Sequence, residues 1–156
     1  MYQFDIPGRT RLEIIHLVLD LNGTLCVDGE LLPGVAERIT ALGSEVYVHV
    51  VTADTHGKAA QLLSDLPVRL VVLPEGNQDA AKRDFVRGLG SSCVAAMGNG
   101  FNDRLMLHEA ALGVGVIQAE GTYSEALLMA DVICPSITDA MDLLLIPTRL
   151  LATLRS

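Results

Sequence analysis

The chain has 156 residues, 50% of them hydrophobic and 19% charged, which suits one domain, residues 1–156, around one core and argues against disorder. Eleven basic against nineteen acidic residues give a formal charge of −8, which argues against general affinity for nucleic acid or an anionic membrane. No run approaches the ~20 apolar residues of a membrane helix, and Arg9 and Arg11 interrupt the N-terminus before any apolar stretch, so neither a spanning segment nor a signal peptide is expected.

Ile14 to Asp20 is a short apolar run that ends in an acid. Thr24 to Pro33 follows, with Asp28-Gly29 between apolar residues, a turn signal that predicts a small β-hairpin flap. Pro33-Gly34 opens a helix over Val35 to Leu42. Glu45 to Thr52 is a valine-rich strand, and Thr55 to Leu66 has helical apolar spacing. Strands are then predicted at Val68 to Leu73, Cys93 to Met97, Gly113 to Ile117 and Asp131 to Cys134. Helices are predicted at Gln78 to Leu89, Asn102 to Ala111, Thr122 to Ala130 and Ile137 to Leu150. Short, nearly continuous apolar strands alternating with helices specify an α/β fold. Its mostly parallel sheet has about six strands, flanked by helices on right-handed crossovers. In such sheets ligands bind beyond the carboxyl ends of the strands.

Four polar constellations fall at those ends. Asp20-Leu21-Asn22-Gly23-Thr24 places a carboxylate before a glycine turn whose amides can cradle an anion. Thr52-Ala53-Asp54-Thr55 offers a hydroxyl to a phosphoryl oxygen and the start of a helix to an anion. Lys82, with Arg83 as its rival, can neutralise phosphate and nucleophile. Gly98-Asn99-Gly100-Phe101-Asn102-Asp103 allows a tight loop from which Asp103 reaches a hard cation such as Mg²⁺.

This order resembles the haloacid dehalogenase (HAD) superfamily, and most closely the phosphorylation domain of P-type ATPases in its soluble, stand-alone branch. The match runs from about Ile14 onward. Its most specific stretch is Met97-Gly98-Asn99-Gly100-Phe101-Asn102-Asp103, followed by Gly113-Val114-Gly115-Val116, Glu120-Gly121-Thr122 and Ala130-Asp131-Val132. Thr52-Ala53-Asp54 is similar to the Thr-Gly-Asp of those pumps. No nucleotide-binding insert separates the first two motifs, so ATP-driven ion transport is not expected. The resemblance implies a Rossmann-like HAD fold without a cap domain, and a site open unless the flap or another subunit covers it. It also implies that Asp20 attacks a phosphoryl group and forms an aspartyl-phosphate. Asn22, Gly23, Thr52, Ala53 and Lys82 would hold the transferring oxygens. Asp20, the backbone carbonyl of Asn22, Asn99 and Asp103 would coordinate Mg²⁺.

Two positions depart from most phosphatases of the superfamily. Asn22 stands where an acid/base Asp is usual, and Asn99 where an acidic metal ligand is usual. General acid/base help is worth roughly 10²–10⁴-fold, so slow turnover is expected. The leading expectation is a cytoplasmic, Mg²⁺-dependent phosphohydrolase acting on a small phosphorylated molecule. The rival is a catalytically weak or inactive phosphate- or metal-binding, regulatory protein; a transporter-associated role rests on family analogy alone.

The remaining polar and reactive residues read more plainly. Asp54 is a helix cap or a partner of the site, and Glu120 is expected to serve structure. His16 and His49 fall within strand patterns and read as packed, His56 could face substrate, and His108 reads as helix surface. Cys26, Cys93 and Cys134 are few, odd in number and far apart, which predicts buried free thiols. Leu143, Leu144, Leu145 and Ile146 form a run broader than one helix stripe, so part of it is a candidate contact in a homo-oligomer.

Overall fold

The computed structural model describes residues 1–54 and 57–156. Its elements in chain order are β1 (Tyr2–Phe4), β2 (Leu12–Ile14), β3 (His16–Asp20), β4 (Cys26–Val27), β5 (Glu30–Leu31), α1 (Val35–Gly43), β6 (Tyr47–Thr52) and α2 (Ala59–Leu62). They continue with β7 (Val68–Val72), α3 (Gln78–Leu89), β8 (Val94–Gly98), α4 (Arg104–Glu109), β9 (Leu112–Val116), α5 (Ser124–Met129), β10 (Val132–Cys134), α6 (Ile137–Leu145) and α7 (Pro147–Leu154).

Six strands form one parallel sheet in the order β10-β9-β8-β3-β6-β7. Successive strand residues point to opposite faces, so the core divides in two. Leu17, Leu19, Val48, Val50, Ala95 and Met97 pack beneath α1, α6 and α7. Val18, Val51, Val94 and Ala96 pack against Val86 of α3, Met106 and Leu107 of α4, and Ala126 of α5. Both faces are covered, which is why these strands are apolar at consecutive positions. From β3 the chain runs to β6 and β7 on one side, then returns to β8 and continues outward to β9 and β10. The switch point therefore lies between the carboxyl ends of β3 and β8, where a ligand crevice belongs.

Several details correct the sequence-based expectations. The run from Ile14 to Asp20 is not one strand: Leu12–Ile14 pairs antiparallel with Tyr2–Phe4, and the central strand begins at His16. The helix expected over Thr55 to Leu66 is one turn, Ala59–Leu62, and its expected start falls outside the described residues. The helix expected over Ile137 to Leu150 is two, because Pro147 has no amide to donate and disfavours helical geometry at Ile146. A 3₁₀ turn at Phe101–Asp103 precedes α4. Cys93 is half-buried rather than buried; all three cysteines are free. Leu143 and Leu144 are buried in the chain's own core, while Ile146 is exposed. The flap is present as β4–β5, with Asp28 and Gly29 at φ 53° and 81° in its turn. Among the described residues no helix is long and apolar enough to cross a membrane.

Candidate active site

Asp20 ends β3, with Val51 of β6 opposite it, while Leu19 lies opposite Met97 of β8. Lys82, on the buried side of α3, places its ammonium 2.6 Å from Oδ1 of Asp20 and 2.7 Å from Oδ1 of Asp103. Both Lys82 and Asp103 are fully buried, and Asp20 is 5% exposed. Arg83, the rival cation, faces outward and pairs with Asp84.

Three further bonds fix the carboxylates. Thr24, also fully buried, donates its hydroxyl to Oδ2 of Asp20 at 3.0 Å, and that hydroxyl lies 3.2 Å from Oδ1 of Asn99. Oδ2 of Asp103 accepts from the amides of Asn99 (3.0 Å) and Gly100 (2.8 Å), which closes the loop after β8 on its own acid. Gly98 is required there, because a Cβ would stand 2.5 Å from Cγ of Asp103. Gly23 is required twice over: its φ is 78°, and a side chain would meet Asn99 and Glu120 at 2.7 Å.

One ammonium serves two buried acids, so the cluster is short of positive charge. Burial foremost, and then the Asp103 charge, push the Asp20 carboxyl up to about 6 against the opposing pull of Lys82 and Thr24. Lys82 moves the other way for the same reason: burial disfavours its charge, but two flanking carboxylates more than offset that and hold it above its usual value. The two shifts describe one arrangement, with the ammonium held charged and the Asp20 carboxyl raised.

The other expected residues are placed less uniformly. Thr52 is buried at the end of β6, and its Oγ1 accepts from the amide of Asp54 at 3.2 Å; among the described residues no hydrogen bond joins it to Asp20 or Lys82. Ala53 follows in the same loop. Asn22 is exposed, with Oδ1 near the Cys26 thiol. The amide of Gly23 donates to the carbonyl of Cys26 at 2.8 Å, so it holds the turn rather than standing ready for an anion. Asn99 is buried, its Nδ2 donating to the carbonyl of Gly121. His56 lies outside the described residues. His16 and His49 pack against each other, Nδ1 to Nε2 at 3.1 Å.

Sequence reasoning missed Thr24, which binds both the acid of β3 and the loop after β8. Its signal was its place directly after Gly23, where a turn returns a hydroxyl to the carboxylate four residues before it. It also missed Gln118, whose Nε2 donates to the carbonyls of Gly23 (2.9 Å) and Thr24 (2.8 Å) while Oε1 accepts from Ile137 at 2.7 Å. A third omission is the Arg104–Asp79 pair at 2.5 Å, which ties α4 to α3 beside Asp103 and Lys82. Nothing local in the sequence announces those two.

The nearest cleft in sequence to Asp20 opens beside Asn22, and Asp20, Lys82 and Asp103 do not line it. It measures about 330 Å³ and is lined by Asn22, Asp28, Asp54 and Lys58 among others. A hollow of about 370 Å³ near Ile6, Arg9, Asp131 and Leu154 is larger but lies toward the amino ends of β9 and β10, away from the carboxylates.

Among the described residues no three His, Cys, Asp or Glu side chains come together. Asp20, Asp103 and the amide of Asn99 are hard oxygen donors, and the two acids converge on one ammonium. Mg²⁺ commonly takes one or two carboxylates and fills the rest of its octahedron with water and phosphate oxygens, so these residues fit it.

No family model matches the chain. Among solved structures it is similar to the 3-deoxy-D-manno-octulosonate 8-phosphate phosphatase from Moraxella catarrhalis in complex with magnesium ion, phosphate ion and KDO. That match has 16% identity over 85% of this chain and 86% of that one, with a TM-score of 0.69. The cobalt-bound deoxy-D-mannose-octulosonate 8-phosphate phosphatase from Haemophilus influenzae matches at 14% identity over 85% and 88%, TM-score 0.69. The Yersinia pestis 3-deoxy-D-manno-octulosonate 8-phosphate phosphatase matches at 16% over 89% and 84%, TM-score 0.67. The chain therefore has the Rossmann-like α/β fold of the HAD hydrolases. In sequence it is 48% identical over 62 residues, 40% of this chain and 67% of the relative, to uncharacterized protein MJ0073 of Methanocaldococcus jannaschii. It is 44% identical over 39 residues, 25% of this chain and 89% of the relative, to uncharacterized protein MJ0072 of the same organism. The chain belongs to the family of MJ0073.

Proposed function

We propose that the protein is a Mg²⁺-dependent phosphohydrolase of the HAD type, acting in the cytoplasm on a small phosphorylated molecule through an aspartyl-phosphate on Asp20. The order of its motifs supports reading it as a member of the soluble P-type ATPase-like branch. The observation that carries this reading is the buried ammonium of Lys82 bridging Asp20 and Asp103. A structural ion pair needs one acid, whereas two acids sharing one cation at a strand switch point fit a site that gains further positive charge with its ligand.

Thr24 holds Oδ2 of Asp20 and so orients the carboxylate toward the phosphorus. Lys82 neutralises the transferring oxygens, and the Thr52 hydroxyl, which already accepts from Asp54, has its proton to give to one of them. Mg²⁺, held by Asp20, the backbone carbonyl of Asn22, Asn99 and Asp103, would supply the remaining charge stabilisation. Asn22 neither gives nor takes a proton, so turnover is slow unless the leaving group is good.

The test is hydrolysis of p-nitrophenyl phosphate and a panel of phosphometabolites with and without Mg²⁺. Slow, Mg²⁺-dependent release that vanishes in Asp20→Asn is expected, and Asn22→Asp should raise it. No turnover across the panel, with no trapping of beryllium fluoride on Asp20, would support a second reading, a phosphate- or metal-binding regulatory protein. The amides at Asn22 and Asn99 favour that reading, since both stand where chemistry or metal binding is helped by an acid.

A further inference from the structure

We infer that Asp54 is the base that returns phosphorylated Asp20 to the free carboxylate, the task Asn22 cannot perform. The inference rests on the phosphohydrolase reading above. Asp20 lies opposite Val51 in the sheet, so the loops leaving β3 and β6 start side by side. Asn22 stands two residues beyond that pair on one strand and Asp54 three beyond it on the other. Both line the same cleft of about 330 Å³.

Asp54 is also held firmly for a loop residue. Its φ is 35°, a left-handed conformation uncommon for a residue with a side chain and concentrated at functional sites. Its amide donates to Oγ1 of Thr52. Its Oδ1 accepts from the amides of Lys58 (3.1 Å) and Ala59 (3.3 Å). Among the described residues the cap uses Oδ1, and Oδ2 takes the proton of the attacking water. Asp28 shares the cleft but sits on the exposed turn of the flap, with no comparable anchoring.

The step is a hydrolysis. A water oxygen attacks the phosphorus of the aspartyl-phosphate, and the bond from phosphorus to the Asp20 oxygen breaks with its electron pair left on that carboxylate. The proton of the water passes to Asp54 and from there to solvent. Inorganic phosphate and free Asp20 are the products, and nothing is oxidised or reduced.

The lifetime of the phosphoenzyme tests the assignment. The full chain is labelled with radioactive acetyl phosphate in Mg²⁺ and chased with unlabelled reagent. Asp54→Asn keeps an oxygen for the Lys58 and Ala59 amides, and Asp54→Ser is a second side chain able to cap; thermal melts check that both fold. Each should lengthen the lifetime by about 100-fold or more, and Asp28→Asn should not. An unchanged lifetime in both Asp54 variants overturns the inference and leaves the phosphohydrolase reading standing. So does loss of labelling in those variants alone, which would move Asp54 to the first step. Absence of label on Asp20 in every protein, wild type included, overturns the phosphohydrolase reading itself.

Discussion

Thr24 and Asp20 are joined by a buried hydroxyl-to-carboxylate bond of 3.0 Å that spans a single turn of chain. The same hydroxyl approaches Asn99, 75 residues away, so one small side chain sets the carboxylate and registers the β3 loop against the β8 loop. Thr24→Val keeps the shape and removes both contacts. Leaving the buried Oδ2 of Asp20 short of its donor should cost about 2 kcal/mol in chemical denaturation. On the proposed aspartyl-phosphate route, freeing Asp20 to rotate should lower turnover by roughly 10- to 100-fold.

Lys82→Met leaves Asp20 and Asp103 facing each other without their cation. Losing one partner of a buried ion pair costs roughly 3–5 kcal/mol, and here the loss should depend on pH. An acid raised in the fold is protonated there while still ionised in the unfolded chain, so it adds stability as pH falls from about 6 toward its ordinary 3.8. Without Lys82 only the Thr24 hydrogen bond opposes the upward push on Asp20, and the window extends to higher pH. Urea titrations near pH 8 and near pH 5 should show the variant recovering part of its deficit at the lower value.

The His16–His49 pair acts in the opposite sense. Burial first, and then the charges of His16 and Arg69, push His49 down to about 4; burial and Arg69 also lower His16. A base lowered in the fold stays neutral while the unfolded chain takes up a proton, so stability is lost as pH falls from 6.5 toward 4. One such group contributes a slope of about 1.4 kcal/mol per pH unit. His49→Phe, which keeps a ring beside Phe85, should remove that slope. The readout is wild type minus variant, because Asp20 works against it in the same range.

Gly98→Ala should disable the site while sparing most of the sheet. The added methyl would stand 2.5 Å from Cγ of Asp103, a side chain already held by three donors. Overpacking of this kind costs roughly 1–3 kcal/mol. Displacing Asp103 should raise the Mg²⁺ concentration needed for half-maximal activity, as a metal titration would read.

How far the sequence revealed this molecule follows from burial. β3, β6, β8 and β9 are apolar at nearly every position because helices cover both faces, and those runs were legible. Tyr2–Phe4 and Leu12–Ile14 are three residues each and alternate in exposure, too short for a periodic signal. Leu143 to Leu150 kept its apolar spacing across the Ile146–Pro147 break, so periodicity overrode the proline. At the site, residues fixed by backbone turns (Asp20, Gly23, Gly98, Asp103) were legible from glycine spacing. Lys82 was recognisable only by its place in a series, and its precedence over Arg83 is a matter of which side of α3 faces the sheet. Gln118 and Arg104 act through partners distant in the chain, and no local pattern encodes them.

The neighbours of β3 come from later in the chain, on either side of it: Lys82 meets Asp20 across 62 residues and Thr24 meets Asn99 across 75. Contacts of that range close slowly, since long loops must be ordered before they are rewarded. During synthesis Asp20 therefore emerges well ahead of the cation that partners it, and an incomplete chain exposes an ordinary aspartate. The Lys82 bridge between Asp20 and Asp103 should form as a late, all-or-none event in refolding, after the sheet itself has formed.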